Sequence, residues 1–257
     1  MNKFEGKVVV ITGAAGGIGT ATAKKLAEQG AKLALVDLNL DAVKQVIADL
    51  GLDDARAIAL QANVANEDEV KAYVDAAVEK FGQIDGFFNN AGIEGITANV
   101  EDYPTETFDL VLNVNVKGAF LGLKYVVPVM KKQGYGSIVN TASGAGLIGS
   151  PGFVGYNSSK HAVIGMTKVV ALETAPFGVR VNAVAPGVIN TRMMRQIEKN
   201  TVPQDAEGAR KAFGAAVPMG RYGEADEVAN VAIFLLSDDA SYVSQSIYTV
   251  DGGQMNQ

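Results

Sequence analysis

The feature that most constrains the fold is a strand that runs straight into a glycine-rich turn. Residues 7–12, Lys-Val-Val-Val-Ile-Thr, lead directly into Gly13-Ala14-Ala15-Gly16-Gly17-Ile18-Gly19. A short β-branched run bounded by glycine reads as a strand buried on both faces, the habit of a parallel sheet. A parallel neighbour is reached only through a crossover, and a helical pattern follows to about residue 29, with Gly30 behind it as a stop. The alternation then repeats along the chain. Strands are expected at 32–37, 55–62, 86–89, 136–141, 180–185 and 247–250, and helices at 40–50, 66–81, 105–132 (containing Pro128), 156–175 and 224–237. Asn66-Glu67-Asp68-Glu69 has the form of a capping box, with Asn66 accepting from the first turn and Glu69 reaching back. Right-handed crossovers convert this order into one α/β domain, a doubly wound parallel sheet of about seven strands with helices on both faces.

Composition narrows what such a sheet serves. With no cysteine and a single histidine, the chain cannot make disulfides, thiolate catalysis or a cysteine metal site, and no metal centre is expected. A net charge of −6 and a pI near 4.9 offer no field for nucleic acid or an anionic membrane surface. Apolar residues are 48% of the chain but fall in short runs, below the ~20 that cross a bilayer, so no membrane span is expected. Residues 1–6 lead into the first strand without signal or transit character, so a cytoplasmic protein is expected. Any anion must be held by local geometry.

The turn supplies such geometry. Glycines let the backbone approach a pyrophosphate, whose charge is favoured by the free N–H groups of the helix start. Asp37 ends the second strand, 18 residues after Gly19, where a carboxylate can accept from both hydroxyls of an adenosine ribose and repel a 2′-phosphate. Neither Gly16 nor Leu38 is a base that could neutralise such a phosphate, which favours NAD(H) over NADP(H). An acidic residue in this place can also simply cap the next segment. The fold class is then of the Rossmann type, with its ligand at the strand C-termini.

Tyr156 and Lys160 stand four apart at a helix start and so share a face. A phenol titrates near ~10 when unperturbed, and a nearby ammonium lowers that value toward one useful for proton exchange. The pair alone is common by chance, so its context carries the weight. Ser143, thirteen residues earlier, follows the fifth strand, where its hydroxyl could orient a substrate oxygen. His161 lies about 100° around the helix from Lys160 and should point elsewhere.

In order and spacing, a longer set of motifs resembles the classical short-chain dehydrogenase/reductase family over residues 7–253. They are Thr12-Gly13-(x3)-Gly17-Ile18-Gly19, Asn89-Asn90-Ala91-Gly92, Asn115 within Asn113-Val114-Asn115-Val116-Lys117-Gly118, Ser143, Tyr156 with Lys160, Pro186-Gly187 with Thr191, and Asp251-Gly252-Gly253. The resemblance implies a catalytic tetrad of Asn115, Ser143, Tyr156 and Lys160. By it, Lys160 also binds the nicotinamide ribose and Asn115 holds a water linking Lys160 to solvent. It implies further that Asn90, Ala91 and Gly92 line the ribose side, and that Pro186, Gly187, Ile189 and Thr191 hold the nicotinamide end. Asn63-Val64 stands where the family more often has Asp-Val against adenine, although asparagine can still accept through its amide oxygen.

Residues 192–217 break the alternation and mix methionines with charges, which reads as a substrate lid or else as a plain surface helix pair. Residues 144–155 and this segment are rich in Gly, Ile, Phe and Met, favouring a mostly apolar ketone or secondary alcohol. Phe153 and Met193 are candidate contacts. Glu94 is either a polar contact at the substrate mouth or a solvated loop carboxylate. Residues 84–95, 221–225 and 234–243 are similar to the levodione reductase-like branch, which acts on cyclic ketones. The expected protein is an NAD-dependent oxidoreductase of ketones and secondary alcohols. A 3-oxoacyl-carrier-protein reductase and a non-catalytic dinucleotide sensor are the alternatives. Family analogy implies a homotetramer, with the 105 and 156 helices at its interfaces.

Overall fold

β1 (Val8–Thr12) is buried at every position, as its β-branched sequence requires of a strand covered on both faces. In this computed structural model, which describes residues 3–255, β1 pairs in parallel with β2 (Lys32–Asp37) on one side and β4 (Gly86–Asn89) on the other. β3 (Ala57–Gln61) lies outside β2, while β5 (Gly136–Thr141), β6 (Val179–Pro186) and β7 (Ile247–Val250) extend the sheet beyond β4. The order β3-β2-β1-β4-β5-β6-β7, parallel throughout, is the expected Rossmann sheet. It reverses direction between β1 and β4, and the crevice at that switch point is where sheets of this kind bind ligands.

The two-residue period of the strands divides the core. Val9, Ile11, Leu33, Leu35 and Phe88 face one side and pack with α1 (Gly17–Glu28), α2 (Leu40–Asp49) and α9 (Ala225–Leu236). Val10, Ala34, Val36, Phe87 and Ile138 face the other, against α3 (Glu67–Phe81) and, behind α4 (Thr105–Leu112), α5 (Gly118–Gln133) and α6 (Val154–Thr174). The helical run Thr105–Gln133 is long and apolar enough to cross a membrane by length and composition alone. Here it serves as a core helix, burying Leu121, Val126 and Met130 on the sheet.

Three local features differ from the sequence reading. The 105–132 segment is not one α-helix: residues Asn113–Lys117 form a π-helical turn between α4 and α5. The capping box forms only by half. Asn66 Oδ1 accepts from Asp68 and Glu69 N–H at 3.1 and 3.4 Å, but the Glu69 carboxylate accepts from Asn63 N–H at 2.7 Å. The Asn66 N–H is already donated to the Asn63 carbonyl, so Glu69 reaches past it. Finally, β3 starts two residues late because the Asp53 carboxylate accepts from Ala55 and Arg56 N–H and holds them in a turn.

The 192–217 stretch does break the strand–helix alternation, as two consecutive helices. It forms α7 (Arg192–Thr201) and α8 (Ala206–Ala215), capped by Thr191 Oγ1 accepting from Met194 N–H and by Asp205 Oδ1 accepting from Gly208 N–H.

Candidate active site

The glycine turn joins β1 to α1 in a space where side chains do not fit. Gly13 has φ +65°, and a Cβ on it would lie 3.0 Å from the Ala91 Cα. A Cβ on Gly19 would lie 2.2 Å from the Gly13 carbonyl oxygen. α1 is capped by Gly16, which has no side chain to occupy the N–H groups of the first turn. A Cβ on Gly17 would meet Thr191 Cγ2 at 3.2 Å, so the segment after β6 faces this turn across the crevice. Ile18 packs beneath it on the core.

Asp37 is held at the rim by two backbone donors, Ala15 N–H at 3.1 Å and Asn39 N–H at 3.2 Å. Its carboxylate thereby ties the start of the next segment, where Asn39 caps α2, to the glycine turn. Leu38 beside it is exposed. Asn63 Oδ1 accepts from Ala65 N–H at 3.0 Å, and Val64 is buried against Gly118. The Asn90 side chain turns inward: its amide donates to the Thr12 and Gly13 carbonyls, and its oxygen accepts from Thr141. Asn90 thus braces the turn, leaving Ala91 and Gly92 nearer the crevice.

Four polar side chains converge where β4, β5 and β6 end. Lys160 is 4% exposed, its ammonium donating to the Thr141 carbonyl at 2.9 Å and lying 5.5 Å from the centre of the Tyr156 ring. Gly92 admits that ammonium: a Cβ there would lie 3.4 Å from Nζ and 3.2 Å from Asn115 Oδ1. Ser143 Oγ accepts from Ala145 N–H at 3.2 Å, is directed to the Pro186 carbonyl at 3.5 Å, and stands close enough to the Tyr156 phenol to lower its pKa. Asn115, projected from the π-helical turn, accepts from Ile93 N–H at 2.8 Å and donates to the Ile93 carbonyl and to Ser159 Oγ. Its amide clamps the segment after β4 to α6.

The electrostatics depart from the sequence expectation. Burial pushes the Tyr156 phenol above its ordinary value, the Ser143 hydrogen bond works the other way, and the charge of Glu94 adds to the rise. Burial likewise draws Lys160 down to about 8. The net direction for the phenol is therefore upward, opposite to the one expected from the lysine's proximity. Glu94 is half-buried between Ile93, clamped by Asn115, and Gly95, where a Cβ would lie 2.6 Å from the Tyr103 hydroxyl. Tyr103 also packs on Gly155, next to Tyr156. Phe153 stands half-buried at the start of α6, where a parallel bridge joins it to Ala98, and Met193 half-buried in the first turn of α7. Pro186 ends β6, Gly187 N–H donates to Val250, and Ile189 bridges to Gly223. His161 turns to the Asn157 carbonyl at 2.9 Å, away from the site.

Sequence reasoning missed the support beneath this site. Asn89 donates to Asn140 Oδ1 at 3.0 Å, and Asn140 donates to Thr167 Oγ1 at 2.9 Å, joining β4, β5 and α6 through buried polar groups. The only sequence signal was an asparagine near the end of each apolar strand. That they face each other follows from the register Asn89↔Asn140.

Comparison with known proteins agrees with this geometry. The family model described as "Enoyl-(Acyl carrier protein) reductase" matches residues 13–255. Levodione reductase of Leifsonia aquatica is 46% identical over 255 residues, covering 98% of this chain and 95% of that protein. Cyclohexanol dehydrogenase of Acinetobacter sp. (strain SE19) is 43% identical over 251 residues, covering 98% and 96%. A crystal structure of levodione reductase superposes with a TM-score of 0.96 at 45% identity, over 98% of this chain and 99% of that one. NAD+-bound xylitol dehydrogenase superposes with a TM-score of 0.91 at 42% identity, over 98% and 100%. The chain belongs to the classical short-chain dehydrogenase/reductase family and is an oxidoreductase.

Proposed function

We propose that this protein interconverts a ketone and a secondary alcohol by hydride transfer with NAD(H), with Tyr156 as the proton donor or acceptor. The observation that carries this reading is the buried Lys160 ammonium, fixed on the Thr141 carbonyl and 5.5 Å from the Tyr156 ring, with Ser143 beside the phenol. Bound NAD(H) supplies or accepts the hydride. Ser143 hydrogen-bonds the substrate oxygen and orients the carbonyl. In reduction, Tyr156 gives its phenolic proton to that oxygen, and in oxidation it takes the proton back. Lys160 stabilises the phenolate and holds the nicotinamide ribose, while Asn115 keeps the Ile93 segment and α6 in register beside a water relay.

A bound cofactor would lie along the cradle. Gly13, Gly16, Gly17, Ile18 and Gly19 would hold the pyrophosphate, Asp37 and Leu38 the adenosine ribose, and Asn63 and Val64 the adenine. Asn90, Ala91 and Gly92 line the second ribose, and Pro186, Gly187, Ile189 and Thr191 the nicotinamide end. Asp37 favours NAD(H), because a 2′-phosphate would meet its carboxylate with no neighbouring base at Gly16 or Leu38. An NADPH kcat/KM comparable to that with NADH would refute this choice.

The whole chain acts as one Rossmann-type domain in which α7 and α8 cover the substrate. Phe153 and Met193 make its apolar wall, and Glu94 contacts the substrate at its polar edge. The names of the relatives support a neutral, mostly apolar and cyclic ketone. The family model's description points to an acyl-carrier substrate instead, but a net charge of −6 and the carboxylate of Glu94 suit an acidic carrier poorly. The deciding assay is NADH oxidation with a panel of cyclic and linear ketones by wild type and Tyr156→Phe. Wild type should turn over at least one ketone and the variant should lose at least about a hundredfold in kcat, the scale of general acid–base catalysis. Equal turnover would remove Tyr156 from the chemistry.

A further inference from the structure

Glu198 is the most unexpected residue in the proposed lid. It is the one buried residue of α7, only 2% exposed, although the helix lies at the surface and its apolar residues Met193, Met194 and Ile197 are less buried than this carboxylate. A carboxylate leaves water only when other groups satisfy it. The Tyr222 hydroxyl donates to Oε1 at 2.7 Å, and Arg195 Nη1, 2.9 Å from Oε2, balances the charge without forming a hydrogen bond. Tyr222 belongs to neither lid helix. It sits in the connection between α8 and α9, and its ring carries the guanidinium of Arg195 from α7 at 5.2 Å and that of Arg210 from α8 at 5.8 Å. Gly214 on α8 lets the ring edge close in, since a Cβ there would touch it at 3.4 Å. One phenol thus holds both helices.

The chain around Tyr222 is in turn fastened to the segment after β6. Gly223 N–H donates to the Val188 carbonyl at 2.9 Å, and Asn190 N–H to the Gly223 carbonyl at 2.8 Å. The Asn190 amide donates to both oxygens of the Glu224 carboxylate, at 3.3 and 3.2 Å, while its own oxygen accepts from Arg195 at 3.4 Å. That segment contains Ile189 and Thr191, and Thr191 begins α7. α7, and with it Met193, is therefore held from two directions, by Tyr222 on Glu198 and Arg195 and by the 188–191 segment through Asn190 and the neighbouring Gly223. An exposed surface ion pair would do little of this.

We propose that Tyr222 is a positioning residue for the substrate: by bonding Glu198 and stacking Arg195 and Arg210, it latches α7 and α8 to the cofactor-side segment 188–191. The proposal rests on the reading of α7 and α8 as a lid. The test uses full-length Tyr222→Phe, Glu198→Gln and the double variant, with ketone and NADH kinetics and trypsin cleavage within 192–211. Tyr222→Phe keeps the ring and loses the hydrogen bond. Loss of a bond to a charged acceptor predicts a rise of about tenfold in ketone KM and in cleavage rate, with kcat within about threefold. Tyr222→Phe removes the bond, and Glu198→Gln weakens it together with the Arg195 ion pair, so in the double variant the two effects should be less than additive. Unchanged cleavage would overturn the latch, whatever happens to KM. Faster cleavage with unchanged KM would overturn the positioning role, because the two helices would then not act as a lid. Failure of the hydride-transfer reading itself would show elsewhere, as full turnover by Tyr156→Phe.

Discussion

Glu94 is the residue whose surroundings give it a direct chemical consequence. Its negative charge raises the Tyr156 phenol, adding to the larger effect of burial. Glu94→Gln removes that charge, so phenolate forms at lower pH and the rise of kcat/KM for alcohol oxidation should move to lower pH. A pH profile of oxidation in wild type and variant checks this, and a shift upward would contradict it. Lys160 acts in the same experiment on ketone reduction. Its ordinary value of 10.5 falls to about 8 through burial, so the ammonium is present below about pH 8 and is lost above it. Reduction should therefore decline on the alkaline side of about pH 8. At this scale the sequence was informative wherever chemistry and spacing coincided: the glycine turn, Asp37, and Tyr156 with Lys160. It was silent on the Asn89–Asn140 bond, because two asparagines 51 residues apart become partners only when β4 and β5 take their register.

Among the elements, the strands were legible almost to the residue, because buried parallel strands are written as continuous apolar runs ended by glycine or polar residues. Helix interiors were less so. Apolar periodicity does not distinguish an α-turn from a π-turn, and residues Asn113–Lys117 read as helix either way. That turn is where Asn115 leaves the helix to bind Ile93 and Ser159, so the missed irregularity coincides with a proposed site residue. The start of α1 allows a sharper test. Gly19→Ala would put a Cβ 2.2 Å from the Gly13 carbonyl oxygen, with the Ala14 Cα at 2.9 Å. Backbone cannot yield as a side chain end can, so the turn must shift. We expect NADH affinity, followed by its fluorescence, to fall at least about tenfold, and the thermal midpoint to drop by several degrees. The start of α3 makes a milder contrast. Asn66→Ala removes the cap of two N–H groups without forcing any backbone apart, which should cost about 1 kcal/mol of stability, read as a small drop in the thermal midpoint.

For the whole molecule, the outer face of α6 is informative because its inner face carries Tyr156, Ser159 and Lys160. Ser158, His161, Gly165, Val169 and Leu172 recur at spacings of three and four and all face outward, Val169 and Leu172 being 56% and 65% exposed. A Cβ on Gly165 would touch nothing, so the stripe presents an open furrow between small and apolar residues. Phe120 on α5 and Leu110 on α4 are exposed as well. A run of this kind on a helix that also holds the proposed catalytic groups is more than the scattered exposure usual on a monomer. A self-complementary two-fold contact along it would bury the stripe against its own copy. We expect a homotetramer, sedimenting at four times the chain mass of 26.8 kDa, with this face in one of its interfaces. Val169→Glu with Leu172→Glu places four carboxylates on the two-fold contact, where like charges desolvate and repel. The variant should sediment at a half or a quarter of the wild-type mass. Its kcat should fall as well, because the helix that aligns Tyr156 with Ser143 would lose its outer support. A wild type that sediments as a monomer would leave the stripe without this role, and a dissociated variant with full kcat would show that α6 needs no partner to hold the catalytic residues in place.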